Sequence, residues 1–125
     1  GVVKAMISPA SRLEVVGQGR LEPDGTLVLD QVIQRQGAKP EQRQWRIRQV
    51  APGSYRGTLT TAEGPVIGRA DGNRLHLRYR LKDGGLEARQ WIYLQPDGRT
   101  AVNRLRLSKF GMPVAAVEET IRKLD

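Results

Sequence analysis

The chain contains no cysteine. Disulfides, thiol nucleophiles and thiolate metal sites are therefore excluded, and with them a disulfide-stapled secreted scaffold. There is a single histidine, His76, so a zinc or copper centre has almost no ligands to draw on. A Ser/His/Asp triad would have to use that same residue, and no nucleophile-elbow motif accompanies it. No apolar run approaches the roughly 20 residues of a membrane-spanning helix, and no signal peptide is visible. A phosphate loop is missing as well: Gly17-Gln18-Gly19 is too short and opens no helix. Of the thirteen acidic residues, four sit in Asp-Gly pairs, where the side chain has a turn to make. These absences disfavour an enzyme; no catalytic residue, metal or cofactor is expected.

What the chain does have is basic charge and alternation. Twenty-one Lys and Arg against thirteen Asp and Glu give +8, and sixteen of the basic residues are Arg. Such a surface adheres to polyanions. Residues 74–81, RLHLRYRL, place Leu75, Leu77, Tyr79 and Leu81 on one face and Arg74, His76, Arg78 and Arg80 on the other. That period of two is a half-buried strand. Residues 44–50 set Trp45 and Ile47 against Arg46 and Arg48, and residues 103–109 set Leu105 and Leu107 against Arg104 and Arg106. Residues 26–33 and 87–95 are apolar on both faces, as strands covered on both sides would be. Gly17 and Gly19 inside 12–21 suggest a bulge, a bend or a close backbone approach. The Asp-Gly pairs at 24, 71, 83 and 97 are strong hairpin signals.

Cutting at the turns gives strands at 2–8, 11–22, 26–36, 42–50, 54–62, 65–70, 74–82, 86–95 and 99–109. The expected fold is all-β: a single domain over 1–125, an antiparallel meander of eight or nine strands curled into a barrel or half-barrel to remove its edges. Residues 113–124 break the period. Pro113 suits a first helical turn, and Val114, Val117, Ile121 and Leu124 fall on one helical stripe. A short C-terminal helix is expected to dock on the sheet, with Gly111 permitting the exit from the last strand and Phe110 as a plug beneath the helix.

Two uses of such a fold follow from the residues. A barrel of about eight strands has room for one small ligand, and Trp45, Tyr55, Tyr79, Trp91 and Tyr93, with Asn103 as a polar contact, are the candidate lining for a lipid or other apolar molecule. A filled core is the plainer reading of the same residues. Alternatively Arg46, Arg48, Arg74, Arg78, Arg80, Arg104 and Arg106 form a basic face for an anionic membrane or polymer. Nucleic acid is disfavoured as a partner, because Trp45 and Tyr79 lie opposite the arginines and single-strand binders stack bases on aromatics of the charged face. The oligomeric state is left open.

An ordered set of motifs adds a resemblance: Trp45, Gly53-Ser54-Tyr55-Arg56-Gly57, Gly64, Gly68, Gly72-Asn73-Arg74-Leu75 with Tyr79, Trp91-Ile92-Tyr93, Asn103 and Ser108-Lys109-Phe110-Gly111. Across nearly the whole chain this resembles the bacterial DUF3833 family of unknown function. The resemblance implies a calycin-like or lipocalin-like barrel in the bacterial cell envelope, lipid-anchored through a cysteine upstream of the domain. The chain opens on Gly1-Val2-Val3 without a Met, and the expectation is that an N-terminal segment precedes it. Where the family often has an acidic pair before its Trp, this chain has Ala88-Arg89-Gln90, which reverses the charge there.

Overall fold

A computed structural model describes residues 2–9, 13–35 and 37–123. They form ten strands: β1 Val2–Pro9, β2 Leu13–Leu21, β3 Leu27–Arg35, β4 Glu41–Ala51, β5 Ser54–Leu59, β6 Ala62–Asp71, β7 Arg74–Leu81, β8 Glu87–Leu94, β9 Thr100–Lys109 and β10 Met112–Lys123. Each pairs antiparallel with the next, and β1 pairs with β10, so the meander closes on itself. Closure removes the sheet edges. The nine expected strands are present, but the cut expected between 62 and 65 falls at Thr60-Thr61; Gly64 and Pro65 lie within β6, where its register with β7 slips between Glu63 and Ile67. Ser11, Arg12 and Gln36, at the expected ends of two of them, lie outside the described residues, as does Leu124.

The C-terminal helix is corrected: residues 112–123 are the tenth strand. It runs in register with β9 from Met112↔Lys109 to Arg122↔Thr100, and with β1 from Glu119↔Pro9 to Lys123↔Ala5. The reason is the gap it fills. Without it β9 and β1 would each present a row of unpaired N–H and C=O groups, and two ladders outweigh the weak preference of a single apolar stripe for helix. Pro113, which cannot donate to a ladder, sits where the β9–β10 register slips between Pro113 and Ala115. Phe110 is no plug either: it is 94% exposed at the hairpin tip.

The glycines of the Asp-Gly pairs all take positive φ. The Asp97 carboxylate shows what its residue type contributes, accepting from the backbone N–H of Arg99 and Thr100 at 2.9 Å each. Gly17 marks a close approach and not a bulge, since β2 pairs on both sides without a register shift. Gly57 marks a closer one. A Cβ there would stand 1.8 Å from the carbonyl oxygen of Arg46, so only glycine lets β5 lie against β4 at this level.

The main core cluster comprises Trp45, Leu59, Ala62, Val66, Leu77, Tyr79 and Ala88. Around it Leu29, Ile47, Leu75, Leu81, Ile92, Leu105 and Leu107 are only partly buried. A smaller cluster joins Val15 and Ile33 with Ile121. On β3 the two-faced apolar pattern is explained by Val28, fully buried although it shares its register with Arg20 and Arg46. Ion pairs Arg20–Asp30 and Arg46–Glu22 flank it, their long stems covering apolar surface.

Candidate functional site

Alternation along β4 turns Arg43, Trp45 and Ile47 to one side, and the register matches Arg43 with Gln31 and Trp45 with Leu29 on β3. This is the inner side. Trp45 meets Tyr79 edge to face, ring centroids 5.3 Å apart, and its Nε1 donates to Gln31 Oε1 at 2.8 Å. From Tyr79 a line of hydrogen bonds crosses three further strands. The Tyr79 hydroxyl donates to Gln90 Oε1 at 2.6 Å, Gln90 Nε2 to Asn103 Oδ1 at 3.2 Å, and Asn103 Nδ2 to Glu119 Oε2 at 3.4 Å. Gln31, Gln90 and Asn103 are all buried. Such a line satisfies groups that would each be costly to leave unpaired.

Arg43 is the exception in this band. Burial lowers its pKa, with Tyr79, Glu41 and Glu119 acting in the opposite sense. Its Nε is buried and has no hydrogen-bond partner, and among the described residues no carboxylate oxygen lies within the 4.0 Å of an ion pair. An open groove of about 520 Å³ runs beside it, lined by Asp30, Gln31, Val32, Gln42, Gln44 and Thr60 as well as Arg43; the Asp30 carboxylate is already taken up by Arg20 and Gln44. The groove reaches both faces of the sheet because residues 41–43 pair with β3 alone; the β4–β5 ladder starts at Trp45↔Leu59. Tyr79 reports the same dry surroundings. Burial pushes its phenol up to about 12, Arg43 pulling the other way and Glu119 adding to the rise.

The expected ligand lining is thus divided. Trp45, Tyr79 and Asn103 come together inside. Tyr55 shares their side of the sheet through its register with Gly68 and on to Leu77, and it is half-buried. Trp91 and Tyr93 are corrected to the outer face. They are opposite His76 and Arg74 on β7 and opposite Arg104 and Val102 on β9. Residues 87–94 are apolar in both phases, and the phase of Ala88, Gln90 and Ile92 is the one that faces in.

The outer face carries the basic residues. Arg78, Arg89 and Arg106 stand directly opposite one another on β7, β8 and β9, a like-charge row that costs stability. Trp91 stacks on His76 at 4.9 Å, and the Arg106 guanidinium lies over its ring at 5.5 Å; Arg104 lies over Tyr93 at 5.7 Å. Burial lowers the His76 pKa, with Arg89, Arg74 and Arg78 adding to the shift. Arg74 and Arg80 share the β7 face. A shallow groove of about 440 Å³ runs along Trp91, Tyr93, Arg104, Arg106 and Glu118. Arg46 and Arg48 on β4 point outward too, but β5 and β6 separate them from this patch, and Arg46 is paired with Glu22.

The sequence reading missed Gln31, Arg43, Gln90 and Glu119. One signal was available for three of them. Arg43 shares the phase of Trp45 and Ile47, Gln90 that of Ala88 and Ile92, and Gln31 that of Leu29 and Ile33, so each is a polar residue on the apolar phase of its strand. No such signal existed for Glu119, which read as helix.

No curated protein matches this chain. A protein-family model described as "Protein of unknown function (DUF3833)" matches residues 1–123, and the chain belongs to that family.

Proposed function

We propose that the barrel is a non-catalytic binding protein for a small amphipathic molecule with an anionic head, held at Arg43. What carries the reading is the unpartnered guanidinium inside a band whose other polar groups are bonded to one another. Arg43 is only partly buried, but its Nε is shut off from water with no hydrogen-bond partner among the described residues, and an unmet buried donor is costly; a carboxylate or phosphate head would supply an acceptor. Val32 in the groove, and the part-buried Leu29 and Ile47 that pack against the main core on the Arg43 side of the sheet, supply apolar surface for a tail. A calycin-like character and a place in the bacterial cell envelope belong to the same proposal, and the family resemblance supports them.

The test is calorimetric titration with dodecanoate and with dodecanol. A charge-assisted hydrogen bond is worth about 1.5–3 kcal/mol, so the acid is expected to bind about tenfold to a hundredfold more tightly, and Arg43→Met to abolish the difference. Equal binding of acid and alcohol to the wild type, or an unchanged preference in the variant, overturns the proposal.

A further inference from the structure

The β9–β10 hairpin combines three features that the interior site does not use. Its two-residue turn has positive φ at both positions, 51° at Phe110 and 76° at Gly111, with Lys109 and Met112 as the flanking pair. Turns of this kind take Asn-Gly or Asp-Gly. Phe110 is the one non-glycine residue among those described with positive φ, and for a bulky residue that conformation is strained. Strain retained at an exposed position points to a use for the side chain.

The tip is also apolar and bare. Phe110 is 94% exposed, Met112 69% and Val114 58%. Finally, the surroundings are basic. In a meander the turns after odd-numbered strands share one end of the barrel, and three of the five lysines lie there: Lys39, Lys82 and Lys109, all exposed. The acid within these turns among the described residues is Asp83; of the acids at the adjoining strand starts, Glu41 and Glu87 are in ion pairs with Arg35 and Arg89, Glu63 stands opposite Arg80, and Glu14 is exposed on β2. Lys109 holds its ammonium 5.8 Å from the centre of the Phe110 ring, and Arg106 follows on the same strand.

We infer that this hairpin tip docks the barrel on an anionic phospholipid bilayer: Phe110, Met112 and Val114 enter the boundary between headgroups and acyl chains, and Lys109, Lys82 and Arg106 meet lipid phosphates. Apolar burial and attraction to anionic lipid are the two terms that drive interfacial binding, and the tip supplies both on one end of the molecule. Charge selects this occupant, since a purely apolar partner would gain nothing from the lysines.

The experiment is flotation with phosphatidylcholine vesicles, with and without about 30% phosphatidylglycerol, at low and high salt. The wild type is expected to float with the anionic vesicles and to be released by salt. Phe110→Asn suits the turn better and is expected to leave thermal stability unchanged or raised, while lowering vesicle affinity about tenfold or more; Lys109→Glu lowers it further. Undiminished flotation of Phe110→Asn overturns the inference. So does an effect of Phe110→Asn confined to self-association or to nucleic-acid binding, which would assign the tip to another copy or another polyanion.

Discussion

Removing the Tyr79 hydroxyl tests the interior polar line and its dryness together. The side chain is 7% exposed and its oxygen lies 2.6 Å from Gln90 Oε1. Tyr79→Phe leaves that acceptor buried without its donor, which costs about 1–3 kcal/mol near neutral pH. The same hydroxyl carries a second effect of opposite sign. Burial raises its pKa from 10.0 to about 12, so between those values the unfolded chain loses the proton first. The folded state then binds more protons than the unfolded one, and stability falls as pH rises. The stabilisation is fully present below about pH 10 and is lost by about pH 12; the shift corresponds to about 3 kcal/mol. Phenylalanine has no such proton. The gap between wild type and variant is therefore constant up to about pH 9, narrows through pH 10–11, and closes or reverses near pH 12. Urea unfolding followed by tryptophan fluorescence at about pH 8, 10 and 11 measures it. Titration of the lysines and other tyrosines is common to both proteins and cancels in the difference. A gap that does not change with pH would refute the reasoning, because the phenol would then not be in a dry interior.

Two further substitutions probe the sheet. Gly57→Ala places a methyl against the Arg46 carbonyl oxygen and 2.9 Å from Ile47 Cα; backbone has to move, and the expected loss is about 3 kcal/mol or more, with an unchanged melting temperature counting against so close an approach. Glu118→Gln breaks the Arg104–Glu118 pair, 3.1 Å long with side chains 62% and 64% exposed. Solvent screening limits that loss to about 1 kcal/mol, shrinking further in high salt. A salt-insensitive loss several times larger in urea unfolding would mean that the pair is shielded in a way its exposure does not suggest.

The strands were legible because two independent signals agreed on them. Alternation set the faces of residues 74–81 and 103–109, and the Asp-Gly pairs set the cuts between segments. Residues 112–123 carried one signal that pointed the wrong way. Val114, Val117 and Ile121 fit a helical stripe, yet Val117, Glu119 and Ile121 equally fit one face of a strand. Glu118 looked like part of a helix charge pattern and is the cross-strand partner of Arg104. Nothing local separates the two readings. The deciding term is the pairing demand of β9 and β1, which meet only once the other strands have brought them round the barrel, and such a demand is invisible in a short window of sequence.

The site was legible in chemistry and misplaced in geometry. Aromatic residues were taken as one lining because apolar side chains usually face inward, but Trp91 and Tyr93 occupy the phase of Arg89. Their outward position is stable because the planar groups of His76, Arg106 and Arg104 cover the rings at modest desolvation cost, as guanidinium stacking allows. The converse holds inside. Gln90 and Asn103 stand inside in place of aromatic rings, and their burial is offset because each hands a hydrogen bond to the next. Arg43 ends this pattern. It is a partly buried, inward-facing charge that the line of bonds from Tyr79 to Glu119 does not reach, and its Nε is left without a hydrogen-bond partner among the described residues, which methionine or leucine at that position would avoid. On the function proposed above, the acidic head of the ligand supplies the acceptor that the described residues of the protein do not.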